Sequence, residues 1–155
     1  MAILVTGGSG YIGSHICLGL LEEGYEVVVA DNLCNSKEKS LERVQSLTGR
    51  GLVFYRADVR DENALHEIFQ NHRIDGVIHL AGLKAVGESV EQPLRYYDNN
   101  LFSTIALCRV MAAHDVKTFV FSSSATVYGD PESVPIDETA PVCPTNPYGR
   151  SKLMI

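Results

Sequence analysis

Near the end of the chain, Tyr148-Gly149-Arg150-Ser151-Lys152 sets a phenol and an ammonium four residues apart, on one face if the segment is helical. A free tyrosine has a pKa near ~10, too high for a base at neutral pH. A neighbouring lysine cation favours the phenolate and lowers that value. In a chain of 155 residues with 7 tyrosines such a pair arises by chance too readily to persuade alone. Its candidate partner is Ser122-Ser123-Ser124, where a hydroxyl could hydrogen-bond a substrate oxygen and share its proton with Tyr148. The same triplet also reads as a polar strand end feeding a loop.

A second constellation lies at the other end. Thr6-Gly7-Gly8-Ser9-Gly10-Tyr11-Ile12-Gly13 follows an apolar run and opens a helical pattern. Gly8, Gly10 and Gly13 satisfy G-x-G-x-x-G, and Gly7, Gly10 and Gly13 the wider G-x-x-G-x-x-G. Such glycines permit a tight turn, backbone approach to a pyrophosphate and close helix–strand packing, while helix N–H groups hold the anion. An ordinary strand–helix turn is the plainer explanation, and its place within a βαβ unit argues against that. Asp31 closes the second apolar run, 18 positions after Gly13, where a carboxylate accepts from a ribose diol and repels a 2′-phosphate. Asn32, Leu33, Cys34 and Asn35 include no arginine to neutralise such a phosphate, so NAD is favoured over NADP. Alone, Asp31 is also consistent with a turn residue or helix cap. Asp58 could reach an adenine or cap the helix near Asp61.

The elements that must position these groups alternate along the chain. The apolar runs Ile3-Leu4-Val5, Val27-Val28-Val29, Leu52-Val53-Phe54, Val77-Ile78-His79-Leu80 and Phe119-Val120-Phe121 read as strands buried on both faces of a parallel sheet. Between them run helical stripes: Ile12, Ile16, Leu20; Leu41, Val44, Leu47; Leu65, Ile68, Phe69; and a longer helix from Pro93 to about Ala113. The βαβαβαβαβ order predicts an α/β fold, a Rossmann-like doubly wound parallel sheet, with residues 1–155 as one NAD-binding domain. In a sheet ordered 3-2-1-4-5 the crevice opens above strands one and four. The loop after strand four, Ala81 to Ser89, has small residues Ala81 and Gly82 that let a flat ring lie against backbone. Lys84 could contact ribose hydroxyls or be a solvated charge. Asn99, a poor helix former inside a helix, either makes a specific hydrogen bond or sits on an exposed face. Five of the 6 prolines fall between Gly129 and Pro147, which must be an extended loop. Gly149 to Ile155 looks like the opening of a further helix, so the chain is expected to be the N-terminal part of a longer enzyme, its C-terminal substrate domain missing.

Composition excludes other classes. Lys+Arg 13 against Asp+Glu 19 leaves a net charge of −6, which argues against a nucleic-acid surface or a basic membrane patch. No apolar run approaches the ~18 residues of a membrane span. Met1 to Val5 has no basic n-region, so the expected location is cytoplasmic. Cys17, Cys34, Cys108 and Cys143 are scattered, implying neither disulfide nor zinc, and Cys17 and Cys108 read as core fillers. The histidines at 15, 66, 72, 79 and 114 share no ligand spacing, and no metal is expected.

Taken with Thr6–His15, Asp31–Ser36, His79–Ser89, Ser122–Gly129 and Pro147–Lys152, the whole chain resembles the N-terminal part of an extended short-chain dehydrogenase/reductase, and within that family the nucleotide-sugar 4-epimerases. The resemblance implies Gly7, Gly10, Tyr11, Ile12 and Gly13 at the pyrophosphate, Asp31 to Ser36 (Asp31, Asn32, Leu33, Cys34, Asn35, Ser36) around the adenosine ribose, and Asp58 and Val59 beside the adenine. It implies Leu80, Ala81, Gly82, Leu83, Lys84, Asn99 and Ser124 on the nicotinamide side, Tyr148 as base and Lys152 on the ribose. Related 4,6-dehydratases carry an Asp-Glu pair where this chain has Ala125 and Thr126, and many family members have Asn-Gly at Phe102-Ser103. The implied activity is interconversion of UDP-galactose and UDP-glucose through a 4-keto intermediate, with NAD retained, a UDP-hexose as substrate and a homodimer as assembly. An NAD-dependent nucleotide-sugar dehydrogenase and a non-catalytic NAD-sensing module are the alternatives. The Tyr148–Lys152 pair, which a sensor does not need, weighs against the latter.

Overall fold

The computed structural model describes residues 1–155. Five parallel strands form one sheet in the order β3-β2-β1-β4-β5: β1 Ala2–Thr6, β2 Glu26–Ala30, β3 Val53–Tyr55, β4 Ile74–His79 and β5 Phe119–Phe121. The helices are α1 Tyr11–Glu22, α2 Lys39–Thr48, α3 Glu62–Asn71, α4 Val86–Glu91, α5 Pro93–Ala113 and α6 Pro147–Met154, with a 3₁₀ turn at Ala125–Tyr128. The order and the sheet are those expected of a doubly wound α/β fold. No helix is long and apolar enough to cross a membrane.

The chain divides into two compact units, with one boundary inside α5. The first, Met1–Ala81 and Ser103–Ser122, holds the whole sheet. Strand alternation separates its core into two layers. Ile3, Val5, Val27 and Val29 pack with Cys17, Leu21, Leu41 and Val44 from α1 and α2. Leu4, Val28 and Val77 pack with Leu65, Ile68 and Phe69 from α3 and with Leu107, Val110 and Met111 from α5. The second unit, Gly82–Phe102 and Ser123–Ile155, is helical and centres on Leu83, Tyr96 and Tyr148.

Several expectations need correction. The two outermost of these five strands are not buried on both faces: Val53 of β3 is 42% and Val120 of β5 55% exposed, with no helix of this chain covering those side chains. The α1 stripe lies one residue later than expected, on Gly13, Cys17 and Leu21, leaving Ile12 exposed. On α2, Leu41 and Val44 are buried but Leu47 is exposed. Cys17 is a core residue as expected, whereas Cys108 faces outward because Leu107, Val110 and Met111 take the buried face of α5. Val86 to Ser89 of the expected loop belong instead to helix α4, too short to show an apolar period.

Candidate active site: a glycine cradle and a tyrosine–lysine cluster

In the first unit, β1 ends at Thr6 and the chain turns through Gly7, whose φ of 72° is left-handed. A Cβ on Gly7 would lie 2.7 Å from the Ala81 nitrogen, so this turn and the end of β4 touch backbone to backbone. Gly13 is equally confined, since its Cβ would lie 2.7 Å from the Gly8 Cα and closer still to the Gly7 carbonyl oxygen. The glycines are therefore packing requirements here, and α1 can begin directly against the turn. Gly10 is its N-cap and provides no side chain, leaving the first-turn N–H groups uncapped. Tyr11 and Ile12, both exposed, flank that helix end. Ser9 is buried, and its hydroxyl has no hydrogen-bond partner.

Asp31 follows β2 and joins the turn to the next loop. Its Oδ2 accepts from the Ser9 amide (3.0 Å), and its Oδ1 accepts from the Leu33 amide (2.9 Å) and the Ser36 hydroxyl (2.9 Å). Leu33 adopts a φ of 59°, an uncommon conformation that goes with this i to i+2 bond. Asp31 is thus both a turn residue and a buried carboxylate, with three of about four acceptor positions filled. Asn32 accepts from the Cys34 amide (3.0 Å) and donates to Asp58 (3.3 Å), while Cys34 and Asn35 are exposed. Asp58 does not cap α3, because Asp61 does so by accepting from Asn63 and Ala64. Instead the Arg60 guanidinium grips Asp58 at 3.1 and 2.9 Å and holds its carboxyl down at about 2. Val59 is buried in the α3–α5 layer. Leu80 and Ala81 complete this unit's share of the expected site, the Ala81 amide donating to Thr6 Oγ1 (3.4 Å).

In the second unit, Asn146 caps α6 by accepting from the Gly149 amide (2.8 Å), and Pro147 occupies the first turn. Tyr148 and Lys152 are both buried on this helix, 9% and 7% exposed. Burial brings the Lys152 ammonium down to about 8, which leaves it mostly protonated at neutral pH. Tyr148 packs edge-on to Tyr96, ring centroids 6.5 Å apart, yet the two phenols differ. Tyr96 donates to the Glu88 carboxylate (2.7 Å) and accepts from the Ala85 amide (3.0 Å). Burial first, then that carboxylate, push its phenol up to about 12, so it keeps its proton. No such carboxylate holds the Tyr148 hydroxyl.

Asn100 braces this cluster. Its Oδ1 accepts from the Leu83 amide (2.9 Å), and its Nδ2 donates to the Leu83 carbonyl (3.1 Å) and to Ser151 Oγ (3.0 Å), which donates to the Tyr148 carbonyl (2.7 Å). Asn99 donates to Asn100 Oδ1 (3.0 Å), so it makes a specific bond. A Cβ on Gly82 would lie 3.2 Å from Asn100 Oδ1 and 3.9 Å from Lys152 Nζ, so the missing side chain keeps that corner open. Lys84 is exposed. Ser124 caps the 3₁₀ turn, accepting from the Thr126 amide and hydroxyl. A Cβ on Gly149 would lie 2.8 Å from the Thr126 carbonyl oxygen, so this glycine lets α6 seat against the serine turn beside Tyr148.

Sequence reasoning missed Tyr96, Asn100 and Thr126. A signal existed for two of them: Tyr96, Asn100 and Ser103 repeat at helical spacing ahead of Leu107 and Val110, and all are buried.

The sequence profile of the family described as GDP-mannose 4,6 dehydratase matches residues 4–155. The chain is 59% identical over 155 residues to the UDP-glucose 4-epimerase of Bacillus subtilis (strain 168), covering all of this chain and 46% of that protein. It is 58% identical over 156 residues to UDP-glucose 4-epimerase 1 of Oryza sativa subsp. japonica, covering 99% of this chain and 44% of that protein. Among solved structures, UDP-glucose 4-epimerase from Bifidobacterium longum in complex with NAD+ and UDP superposes with a TM-score of 0.97 at 53% identity, over 99% of this chain and 46% of that one. The chain therefore spans less than half the length of the relatives it matches. Its similarity to UDP-glucose 4-epimerases runs over its whole length, and by the profile match it belongs to the GDP-mannose 4,6 dehydratase family.

Proposed function

We propose that the protein carrying this chain interconverts UDP-galactose and UDP-glucose, by oxidation and re-reduction at the sugar C4. The supporting observation is the buried Tyr148–Lys152 pair on one face of α6, in a chain 59% identical to a UDP-glucose 4-epimerase. The first unit's residues fit a dinucleotide. Gly7 and Gly13 leave no room for a Cβ, the first-turn N–H groups of α1 are uncapped, and the Ser9 hydroxyl is buried without a partner. Asp31 retains about one open acceptor position for a ribose hydroxyl, and a second hydroxyl would displace Ser36. The carboxylate of Asp58, kept ionised by Arg60, offers an acceptor for an adenine amino group. These groups would hold the adenosine and pyrophosphate of NAD, and Lys152 the nicotinamide ribose. Residues 1–155 thus serve as its NAD-binding domain.

NAD, once bound, supplies a hydride acceptor and donor at C4. Tyr148 removes the C4 hydroxyl proton and later returns one, and Lys152 supplies the cation against which the phenolate forms. Tyr96 cannot take that role, because its proton is committed to Glu88. Ser124 binds the sugar C4 oxygen. The family's description names a dehydratase, but Ala125 and Thr126 carry no carboxylate with which to lose water. The relatives named for the activity are more than twice as long, so the 155-residue chain alone should turn over little. Two copies are expected to associate through α5 and α6, where Phe102, Ile105, Leu153 and Met154 are exposed.

Incubating the full-length protein with UDP-galactose and following UDP-glucose tests the proposal. Interconversion without accumulating NADH is expected. Stoichiometric NADH would assign a dehydrogenase instead, and absence of turnover with NAD bound would refute the reading.

A further inference from the structure

We propose that Arg60 is a positioning residue for adenine recognition: it fixes the Asp58 carboxylate, and the adenine amino group takes over the acceptor position that Asn32 fills. The inference rests on the NAD reading for its ligand and on the contacts of one carboxylate for its logic. An ionised carboxyl group accepts about four hydrogen bonds and donates none. At Asp58 these positions are all engaged. Its Oδ1 accepts from the Arg60 amide (2.9 Å) and from Arg60 Nε (3.1 Å). Its Oδ2 accepts from Arg60 Nη2 (2.9 Å) and from Asn32 Nδ2 (3.3 Å). An amino group that binds Asp58 must therefore displace one of these donors.

The donors are unequal. The Arg60 amide is main chain in a pinned turn: the Asp61 amide donates to the Asp58 carbonyl (2.9 Å), and the Ala57 amide to the Asp31 carbonyl (3.2 Å). The guanidinium holds both carboxylate oxygens at once and brings a full charge, which a neutral donor cannot match. Asn32 offers a neutral amide at the longest of the four distances, so it is the donor that yields. Its partners settle which way that amide faces, because Oδ1 accepts from the Cys34 amide (3.0 Å) and only Nδ2 can donate to Asp58. Side-chain exposures of 40% for Arg60 and 33% for Asp58 leave the pair within reach of a ligand, and an ion pair so exposed contributes little to stability. Its consequence is aim. With both oxygens held by the guanidinium, the exchangeable position on Oδ2 points one way, and a purine without an amino group at C6 has no donor to place there.

Calorimetric binding to the full-length protein, freed of cofactor, tests this without any turnover. The probes are NAD and nicotinamide purine dinucleotide, in which hydrogen replaces the adenine amino group. Wild-type protein should bind NAD about tenfold more tightly than the purine analogue. Arg60→Gln should weaken NAD about tenfold and the analogue by no more than about twofold, so that the preference is lost. Arg60→Lys, charged but single-pronged, should lose part of it. An unchanged preference in the glutamine variant, whether or not overall affinity falls, would mark a merely structural arginine and overturn the inference, as would equal wild-type affinities for the two probes. Crystal structures of the full-length protein with and without NAD decide if the variants fail to fold. With NAD bound, Arg60 should keep both side-chain contacts and Asn32 Nδ2 should lie beyond about 3.5 Å of Asp58. Arg60 turned away, or Asn32 still on Asp58, would overturn the inference too. Wild-type protein that binds neither probe would refute the NAD reading itself, and this inference would fall with it.

Discussion

The turn between β1 and α1 is built from backbone and missing side chains, whereas the cluster around α6 is built from side chains and their hydrogen-bond partners. In the first, a Cβ on Gly13 would meet main-chain atoms that cannot move aside. In the second, Tyr96 and Tyr148 sit ring against ring, and it is the Tyr96 phenol that donates to Glu88. A site made of main chain tolerates no added atom, and one made of side chains tolerates no exchanged partner. Each kind of site thus has its own way to fail.

The largest effect should come from the tyrosines. Tyr148→Phe in the full-length protein should lower kcat by about a thousandfold while bound NAD and melting temperature hold, and Tyr96→Phe should mainly lower the melting temperature. Equal losses of kcat from the two would erase the distinction between them. On the backbone side, Gly13→Ala should cost about 3 kcal/mol in denaturant unfolding, because the added carbon meets main chain. Gly87→Ala in α4, with nothing within 4 Å of its Cβ, should be neutral or stabilising by up to about 1 kcal/mol.

Lys152 gives a pH signature of similar size. Its ammonium is lowered to about 8 by burial, against about 10.5 in an unfolded chain, so folding disfavours the charged form. The unfolded state then binds more protons between those values, and stability rises with pH across that window. Below about 8 the full penalty, about 3 kcal/mol, applies. Lys152→Met should flatten the slope of NAD-free protein between pH 8 and 10.5, and an unchanged slope would move the origin elsewhere. Smallest of the set, Asn100→Ala strands the Leu83 amide and carbonyl and should cost about 2 kcal/mol in the same unfolding assay.

What was legible in the sequence depended on short-range pattern. The strands, the glycine turn and Asp31 are each specified by residues close in the chain, and the sheet order follows from their alternation. Helix faces were harder. Ile12, Leu47 and Cys108 lie next to apolar stripes without belonging to them, and composition cannot show a stripe offset by one residue. The pairing of Thr126 with Ser124 depends on a 3₁₀ turn that has no apolar period to announce it. The Tyr148–Lys152 spacing was visible, but the contrast with Tyr96 required knowing that Glu88 and Ala85 meet that phenol.

In the proposed reaction the C4 hydrogen leaves and returns within a single occupied site. UDP-galactose deuterated at sugar C4, incubated with the full-length protein and followed by NMR, tests it most directly. The expected product is UDP-glucose that retains the deuterium at C4, with none lost to water or to free NADH. Product carrying protium at C4, or deuterium appearing in a released cofactor pool, would contradict it.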